Sequence, residues 1–251
     1  MSDRSIGSGK RSLAPTSLPR EAAPLSEIAQ AHAAKRLAAL ATPPGALGRL
    51  GEYAVWLSAT QGRVPPTPLR EVRLLAGPGP DLSSLAAAHG VTVVALPTDT
   101  QTTDTQAETD LRLAGAALAH RELRAGTQLF LLADPWAART EAQRDAFVQT
   151  AVGVLMHAAH TGVPVVLSGD LAETAAALTQ AALPGADLWF LDAAALSSAA
   201  EGDAPARDGA TTAEATGTPQ LAALAALAGV PILRSAVAVL RDVALLAELV
   251  P

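Results

Sequence analysis

The chain has 251 residues, of which 49% are apolar but only 3% aromatic, so alanine, leucine and valine must fill its interior. Its formal net charge is −6, which argues against docking onto nucleic acid or anionic lipid, because both require a basic face. Cysteine is absent, and this excludes disulfides, thiolate metal sites and cysteine nucleophiles. A small-molecule or protein partner is therefore expected.

Residues 1–20 are predicted to form a disordered tail. They carry Arg4, Lys10 and Arg11 among serine, glycine and proline, without the apolar region that a signal peptide needs. Charged residues, glycine or proline interrupt every apolar run further along before it is long enough to cross a membrane. The expected location is the cytoplasm.

Residues 21–62 are predicted to form a helical elbow. A first helix must stop before Pro43 and Pro44, because proline fixes φ and pushes the preceding residue out of the helical region. Gly45 then gives the turn its freedom, helical spacing of apolar residues resumes at Leu47, and Gly62 closes the second helix.

Residues 63–235 are predicted to form a Rossmann-like α/β domain. Six short apolar runs indicate buried strands of a mostly parallel, doubly wound sheet with helices on both faces: Val72–Ala76, Val91–Leu96, Gln128–Ala133, Val163–Leu167, Leu188–Leu191 and Val230–Leu233. Helical stretches separate most of them, notably Thr105–Arg124, Glu141–His160 and Leu171–Ala182.

Two further segments complete the predicted organisation. Residues 193–218 are rich in small and polar residues, which predicts a long flexible loop. Residues 236–251 are predicted to form a C-terminal helix that packs with the N-terminal helices as a small helical layer.

Carboxylates follow several of the predicted strands, at the edge where open parallel sheets bind ligands. The residues concerned are Asp81, Asp99, Asp134, Asp170 and Asp192. Clustered carboxylates suit a divalent cation, a cationic substrate or acid/base chemistry. They equally suit helix capping, and Asp170 with Glu173 resembles a capping box. Both interpretations stay open, with capping favoured for Asp81 and Asp170.

The remaining motifs give weaker evidence of function. The run Gly77-Pro78-Gly79-Pro80 is not a phosphate-binding loop, because its prolines remove main-chain N–H donors. Arg139, at the start of a helix, suits either a phosphate clamp or a solvated surface position. His157 and His160 share a helical face but lack a third ligand in sequence, so a satisfied or exposed histidine pair is expected and no metal site is predicted. The chain has no nucleophile elbow of the serine hydrolase type.

The elbow sequence, Pro43-Pro44-Gly45-Ala46-Leu47-Gly48-Arg49-Leu50 with Gln61-Gly62, resembles the N-terminal signature of the nicotinate-nucleotide:dimethylbenzimidazole phosphoribosyltransferase family. A second stretch, residues 162–169 followed by residues 175–178, is similar to that family's G-x-P-V-x-L-D-G…A-A-A-L segment. The resemblance implies a shortened, divergent member of a family that makes the α-ribazole phosphate of cobamides.

The resemblance also implies which residues form the site. Asp134, Arg139 and Thr140 lie in the loop that resembles the family's nucleotide motif, and Ser168 and Gly169 end the second matching stretch. These five residues are the predicted substrate-binding set.

Three departures from the family pattern affect the predicted chemistry. The glycines and asparagine of the nucleotide motif are missing. The histidine of a further segment is missing, although Ser197 or Ser198 and Glu201 remain there. Asp242 stands where the family has its general base, a glutamate that takes a proton from the benzimidazole.

Two functions follow. The first is transfer of phosphoribose from nicotinate mononucleotide to a benzimidazole-type base in cobalamin biosynthesis, with no cofactor. The second is a non-catalytic relative that acts as a small-molecule sensor or partner subunit. The family implies a homodimer in either case.

Overall fold

The computed structural model describes residues 15–43, 46–77, 81–97, 105–134, 140–200 and 219–243. Within them, five parallel strands form one sheet in the order β2-β1-β3-β4-β5. The strands are β1 (Val72–Ala76), β2 (Val91–Ala95), β3 (Leu129–Ala133), β4 (Val165–Ser168) and β5 (Phe190–Asp192). The predicted parallel α/β fold is confirmed, with five strands in place of six.

Eight α-helices accompany the sheet in the described part of the chain. They are α1 (Glu27–Ala38), α2 (Gly48–Gln61), α3 (Ser83–Ala88), α4 (Thr105–Arg124), α5 (Glu141–Thr161), α6 (Asp170–Ala182), α7 (Ala193–Ala200) and α8 (Pro219–Asp242). A short 3-10 helix, Ala186–Trp189, leads into β5. The predicted elbow is present, with α2 ending at Gly62 in the left-handed conformation (φ +64°).

Strand β3 lies at the centre of the sheet and is buried on both sides. Leu129 and Leu131 pack into one core with α1, α2, α7 and α8, which we call the α8 face. Phe130 and Leu132 pack into a second core with α4, α5 and α6, which we call the α5 face. Alternate residues of the continuous apolar run therefore serve opposite cores, as expected for a covered parallel strand.

Helices α4 and α5 approach each other closely on the α5 face. A Cβ built on Gly115 would lie 2.0 Å from the Thr150 carbonyl oxygen, and one built on Gly153 would lie 1.8 Å from the Arg112 oxygen. Only glycine allows this separation, because any side chain would overlap the main chain of the other helix.

The predicted strand Val230–Leu233 is wrong, because these residues lie inside α8. Helix-forming alanines and leucines flank the run on both sides, and a four-residue apolar run does not distinguish a strand from a buried helical turn. Pro231, which argues against a helix interior in isolation, is accommodated within α8.

Two neighbouring predictions change as well. The predicted break at residue 235 between the α/β domain and a terminal helix is not observed, since α8 runs through it. The first eight residues of the predicted loop 193–218 form α7, because alanine and leucine favour a helix; residues 201–218 lie outside the described residues.

The predicted tail is ordered in part. Residues 1–14 lie outside the described residues, whereas Leu18 already packs against the core of the α5 face. The main-chain N–H of Ala23 then donates to the Ala159 carbonyl, and Trp189 Nε1 donates to the Ala23 carbonyl, at 2.9 and 2.8 Å.

By length and hydropathy alone, one described helix segment, Leu221–Asp242, is compatible with a membrane span. About 56% of it is buried inside the protein. An apolar helix of this kind is also what the core of a globular domain requires.

Candidate functional site

The parallel strands all end at one edge of the sheet, which we call the carboxyl edge. Asp134 follows β3, Ser168 ends β4 and Asp192 ends β5. Helix α6 starts at this edge directly after Gly169 and carries Asp170 and Glu173 in its first turn. The predicted convergence of acidic side chains is therefore present on the β3–β5 side of the sheet.

Asp134 bridges from β3 to the first turn of α6. Its two carboxylate oxygens accept hydrogen bonds from the main-chain N–H groups of Leu171 and Ala172, at 3.2 and 2.9 Å. Burial raises the pKa of the Asp134 carboxyl, and these two hydrogen bonds work in the opposite direction. The carboxylate thus takes the position that a bound anion would take at a helix N-terminus.

Gly169 makes this arrangement possible. It has φ +101°, and a Cβ on it would lie 2.4 Å from the Asp134 side chain. The residue at the N-cap position of α6 thus has no side chain to cap the helix. The predicted capping role of Asp170 is wrong, because Asp170 is already the first residue of α6 and the neighbouring strand supplies the cap.

Of the remaining predicted substrate-binding residues, the structure describes Ser168 and Thr140. Ser168 is buried and its carbonyl accepts from the Asp134 main-chain N–H at 3.1 Å. The Thr140 hydroxyl caps α5 by accepting from the Gln143 main-chain N–H. Arg139 lies outside the described residues.

Glu173, in the first turn of α6, also lies at the carboxyl edge, although its spacing from Asp170 suggested only a capping box. Partial burial raises the pKa of its carboxyl, and the negative charges of Asp192, Asp170 and Asp134 raise it further. The signal available in the sequence was its position in the first turn after Ser168-Gly169, which places it at the carboxyl edge.

Two other strand-end aspartates serve as caps. Hydrogen bonds from the Ser83 side chain and from the Ser83 main-chain N–H, the latter at 2.8 Å, lower the pKa of the Asp81 carboxyl; Asp81 thus binds the first residue of α3 from the position before the N-cap, Leu82. Asp192 accepts from the Ala194 main-chain N–H at 2.8 Å, at the start of α7. Asp99, Ser197, Ser198 and Glu201 have no described side-chain position.

Asp242, the predicted general base, lies far from this edge. Arg234, eight residues earlier on α8, donates to the carbonyls of Leu69, His89 and Gly90, which precede β1 and β2. The C-terminal part of α8 therefore lies towards the amino edge of the sheet. Asp242 is exposed there and pairs with Arg241, which lowers the pKa of its carboxyl.

His120, His157 and His160 lie on α4 and α5, the helices of the α5 face. His157 is buried, its ring packs edge-on against His120 with centroids 5.4 Å apart, and its Nε2 has no hydrogen-bond partner. The prediction of a satisfied or exposed pair is therefore wrong for His157. Among the described residues, no group of three or more histidine and acidic side chains is arranged to hold a metal ion.

The protein is of the parallel α/β class, with acidic side chains at the carboxyl edge of its sheet. A family model described as phosphoribosyltransferase (DBI_PRT) matches residues 22–132. The match includes the elbow and ends within β3, just short of Asp134. This match, over less than half of the chain, supports the resemblance to the nicotinate-nucleotide:dimethylbenzimidazole phosphoribosyltransferase family that the elbow predicted.

Solved structures with a similar fold also match the chain. A nicotinate-nucleotide-dimethylbenzimidazole phosphoribosyltransferase from Thermus thermophilus matches with a TM-score of 0.64 and 18% identity, over 90% of this chain and 98% of that chain. A structure of CobT from the same organism matches with a TM-score of 0.63 and 19% identity, over 88% and 98%. None of the curated proteins matches the chain.

Proposed function

We propose that the carboxyl edge binds a nucleotide and an aromatic base, and that the protein transfers phosphoribose from nicotinate mononucleotide to a benzimidazole-type base in the cytoplasm. The observation that carries this proposal is the convergence of Asp134, Glu173 and Asp192 at the ends of β3, β4 and β5, in a chain of which residues 22–132 match the family model. The transfer serves cobalamin biosynthesis in the family that the chain resembles.

The acidic edge suits the chemistry of this transfer. The bond from the ribose anomeric carbon to the nicotinate nitrogen breaks, and a bond to a benzimidazole nitrogen forms. Positive charge develops on the ribose in between, and fixed carboxylates stabilise it. The proton on the second benzimidazole nitrogen then leaves to a carboxylate base. We assign this role to Glu173, because its raised pKa favours proton acceptance and Asp134 already accepts two main-chain hydrogen bonds.

Phosphate binding requires cations or main-chain donors at the same edge. Arg49 reaches the edge, since its Nη1 donates to the carbonyl of Ala195 in the first turn of α7. We propose Arg49, together with Arg139 and Thr140, as the residues that face the phosphate, and Ser168 with Gly169 as the floor of the nucleotide site.

A second candidate is a non-catalytic relative that binds a small molecule as a sensor or partner subunit. Two observations favour it. The N-terminus of α6, which would otherwise attract a phosphate, is occupied by the Asp134 carboxylate. Asp242, which the resemblance implies as the general base, is exposed and paired with Arg241, and Arg234 of the same helix binds the His89 carbonyl before β2, at the opposite edge of the sheet.

One set of measurements separates the candidates. Purified protein is incubated with nicotinate mononucleotide and dimethylbenzimidazole, and released nicotinate is quantified by chromatography. The transferase predicts release that falls about 10²-fold in Glu173→Gln, the loss expected for a positioned base, with Asp242→Asn as the unchanged control. Stabilisation of the fold by either compound without release supports the sensor. Absence of both effects contradicts both candidates.

We also propose that the protein forms a homodimer through α8. Leu221 and Leu224 on this helix are 52% and 42% exposed although the helix is strongly apolar. Exposed apolar surface of this kind is typical of a contact between subunits.

A further inference from the structure

One face of α2 carries three side chains that donate hydrogen bonds to main-chain carbonyls on both sides of β5. Trp56 Nε1 donates to Leu188 at 3.0 Å, before the strand. The Tyr53 hydroxyl and Arg49 Nη1 both donate to Ala195, after the strand, at 2.9 and 3.2 Å. Positions 49, 53 and 56 share a face of the helix because they are four and three residues apart.

The strand that they hold has little support of its own. β5 has three residues, lies at the edge of the sheet and, among the described residues, pairs with β4 alone. A short edge strand followed directly by a short helix has few main-chain bonds to fix its position. The side chains of α2 supply directional contacts to the residues before and after the strand.

The last residue of β5 connects these contacts to the carboxyl edge. Asp192 lies between the two carbonyls that α2 binds, and its carboxylate accepts from the Ala194 main-chain N–H. Burial is the main cause of the raised pKa of both Tyr53 and Glu173, and the negative charge of Asp192 raises the pKa of each further. A shift of β5 would therefore move a charge that acts directly on Glu173.

We infer that Arg49, Tyr53 and Trp56 are positioning residues, which fix Asp192 and the start of α7 beside Glu173 at the carboxyl edge. The elbow helix thus acts on the site itself, in addition to covering the α8 face. The consequence for turnover rests on the proposed function, whereas the positioning of Asp192 does not.

The test uses two variants and a matched control in the full chain. Tyr53→Phe removes only the hydroxyl, and the double variant Tyr53→Phe with Trp56→Phe removes contacts on both sides of β5. Arg36→Met is the control, because Arg36 also donates from a helix to a distant carbonyl, that of Leu240, at 2.6 Å and away from β5. Circular dichroism first establishes that each variant folds.

Two readouts address the positioning directly. Amide hydrogen exchange over residues 188–196 should be about tenfold faster in the double variant than in the wild type, since local opening becomes easier. Carboxyl carbon NMR should show the Glu173 pKa moving towards the ordinary glutamate value. Arg36→Met should change neither. Unchanged exchange and titration in the double variant would overturn the inference, as would equal changes in Arg36→Met.

The catalytic readout is separate. With nicotinate mononucleotide and dimethylbenzimidazole, the double variant should lose about tenfold or more in kcat with a smaller change in KM, because a misplaced carboxylate weakens the transition state. A wild-type protein that releases no nicotinate contradicts the proposed function, yet the exchange and NMR results still decide whether α2 positions Asp192.

Discussion

The two faces of the sheet are held together by different means. On the α5 face, α4 and α5 touch main chain to main chain at Gly115 and Gly153. On the α8 face, long side chains donate to distant carbonyls, as Arg36 does to Leu240 and Arg234 does to Leu69, His89 and Gly90. Helices that alternate with strands are placed by their short connections, whereas α1, α2 and α8 lie outside that alternation and depend on directional side-chain bonds.

The largest expected effect is on the α5 face. Gly153→Ala should lower the free energy of unfolding by about 3 kcal/mol or more, because the new methyl group meets the Arg112 main chain, which cannot move aside without separating the helices. Urea denaturation measures the change. Gly51→Ala on the α8 face is the matched control: its new methyl meets only the end of the Leu37 side chain, and alanine favours the helix by about 1 kcal/mol. Equal losses in the two variants would contradict the comparison.

The buried histidine of the α5 face gives the next effect. Burial, with the neighbouring His120 and His160, lowers the pKa of His157 from 6.5 to about 4 in the folded protein. The unfolded chain therefore binds a proton that the folded chain excludes, so stability falls as the pH drops from 6.5 towards 4. The loss contributed by His157 is at most about 3 kcal/mol.

The measurement is the difference in unfolding free energy between wild type and His157→Leu at pH 7 and at pH 4.5. The variant should lose less on acidification than the wild type. A difference that does not change with pH would show that His157 titrates normally in the folded state.

On the α8 face, Arg234→Met should cost about 1–2 kcal/mol. The methionine keeps most of the apolar stem but removes the donors to Leu69, His89 and Gly90, whose carbonyls water replaces in part. Thermal unfolding at neutral pH measures the loss. Arg124→Met, at an exposed position near the end of α4, is the control and should stay within about 0.5 kcal/mol of wild type.

The smallest expected change in stability comes from the exposed side of α8. Leu224→Glu places a charge where the side chain is 42% exposed, so the fold should lose less than about 1 kcal/mol. The homodimer proposed above should nevertheless dissociate, which sedimentation velocity at several protein concentrations would detect. A dimer that persists in this variant would exclude this part of α8 from the interface.

The sequence predicted the elements whose signal is local. The continuous apolar run at β3 and the helix Thr105–Arg124 have clear ends, and both were found at or near the predicted bounds. Val230–Leu233 was missed because its environment, and not its composition, decides between strand and helix.

The site was harder to predict than the fold. The cap that Asp134 provides to α6 joins residues 38 positions apart, and the bonds from α2 to Leu188 and Ala195 span 132 and 142 positions. No local pattern encodes such contacts. The same holds for Gly115 and Gly153. In the sequence they are only residues with low helix propensity, and their role depends on the contact with a second helix.

The glycine contact between α4 and α5 also limits how the protein can move. Two helices that meet main chain to main chain cannot slide past each other without separating, so they form one stiff block behind β3 and β4. The carboxyl edge is therefore rigid on that side. Within the part of the chain that the structure describes, β5, α7 and the elbow helix can move more easily, because their hydrogen bonds can break and reform singly.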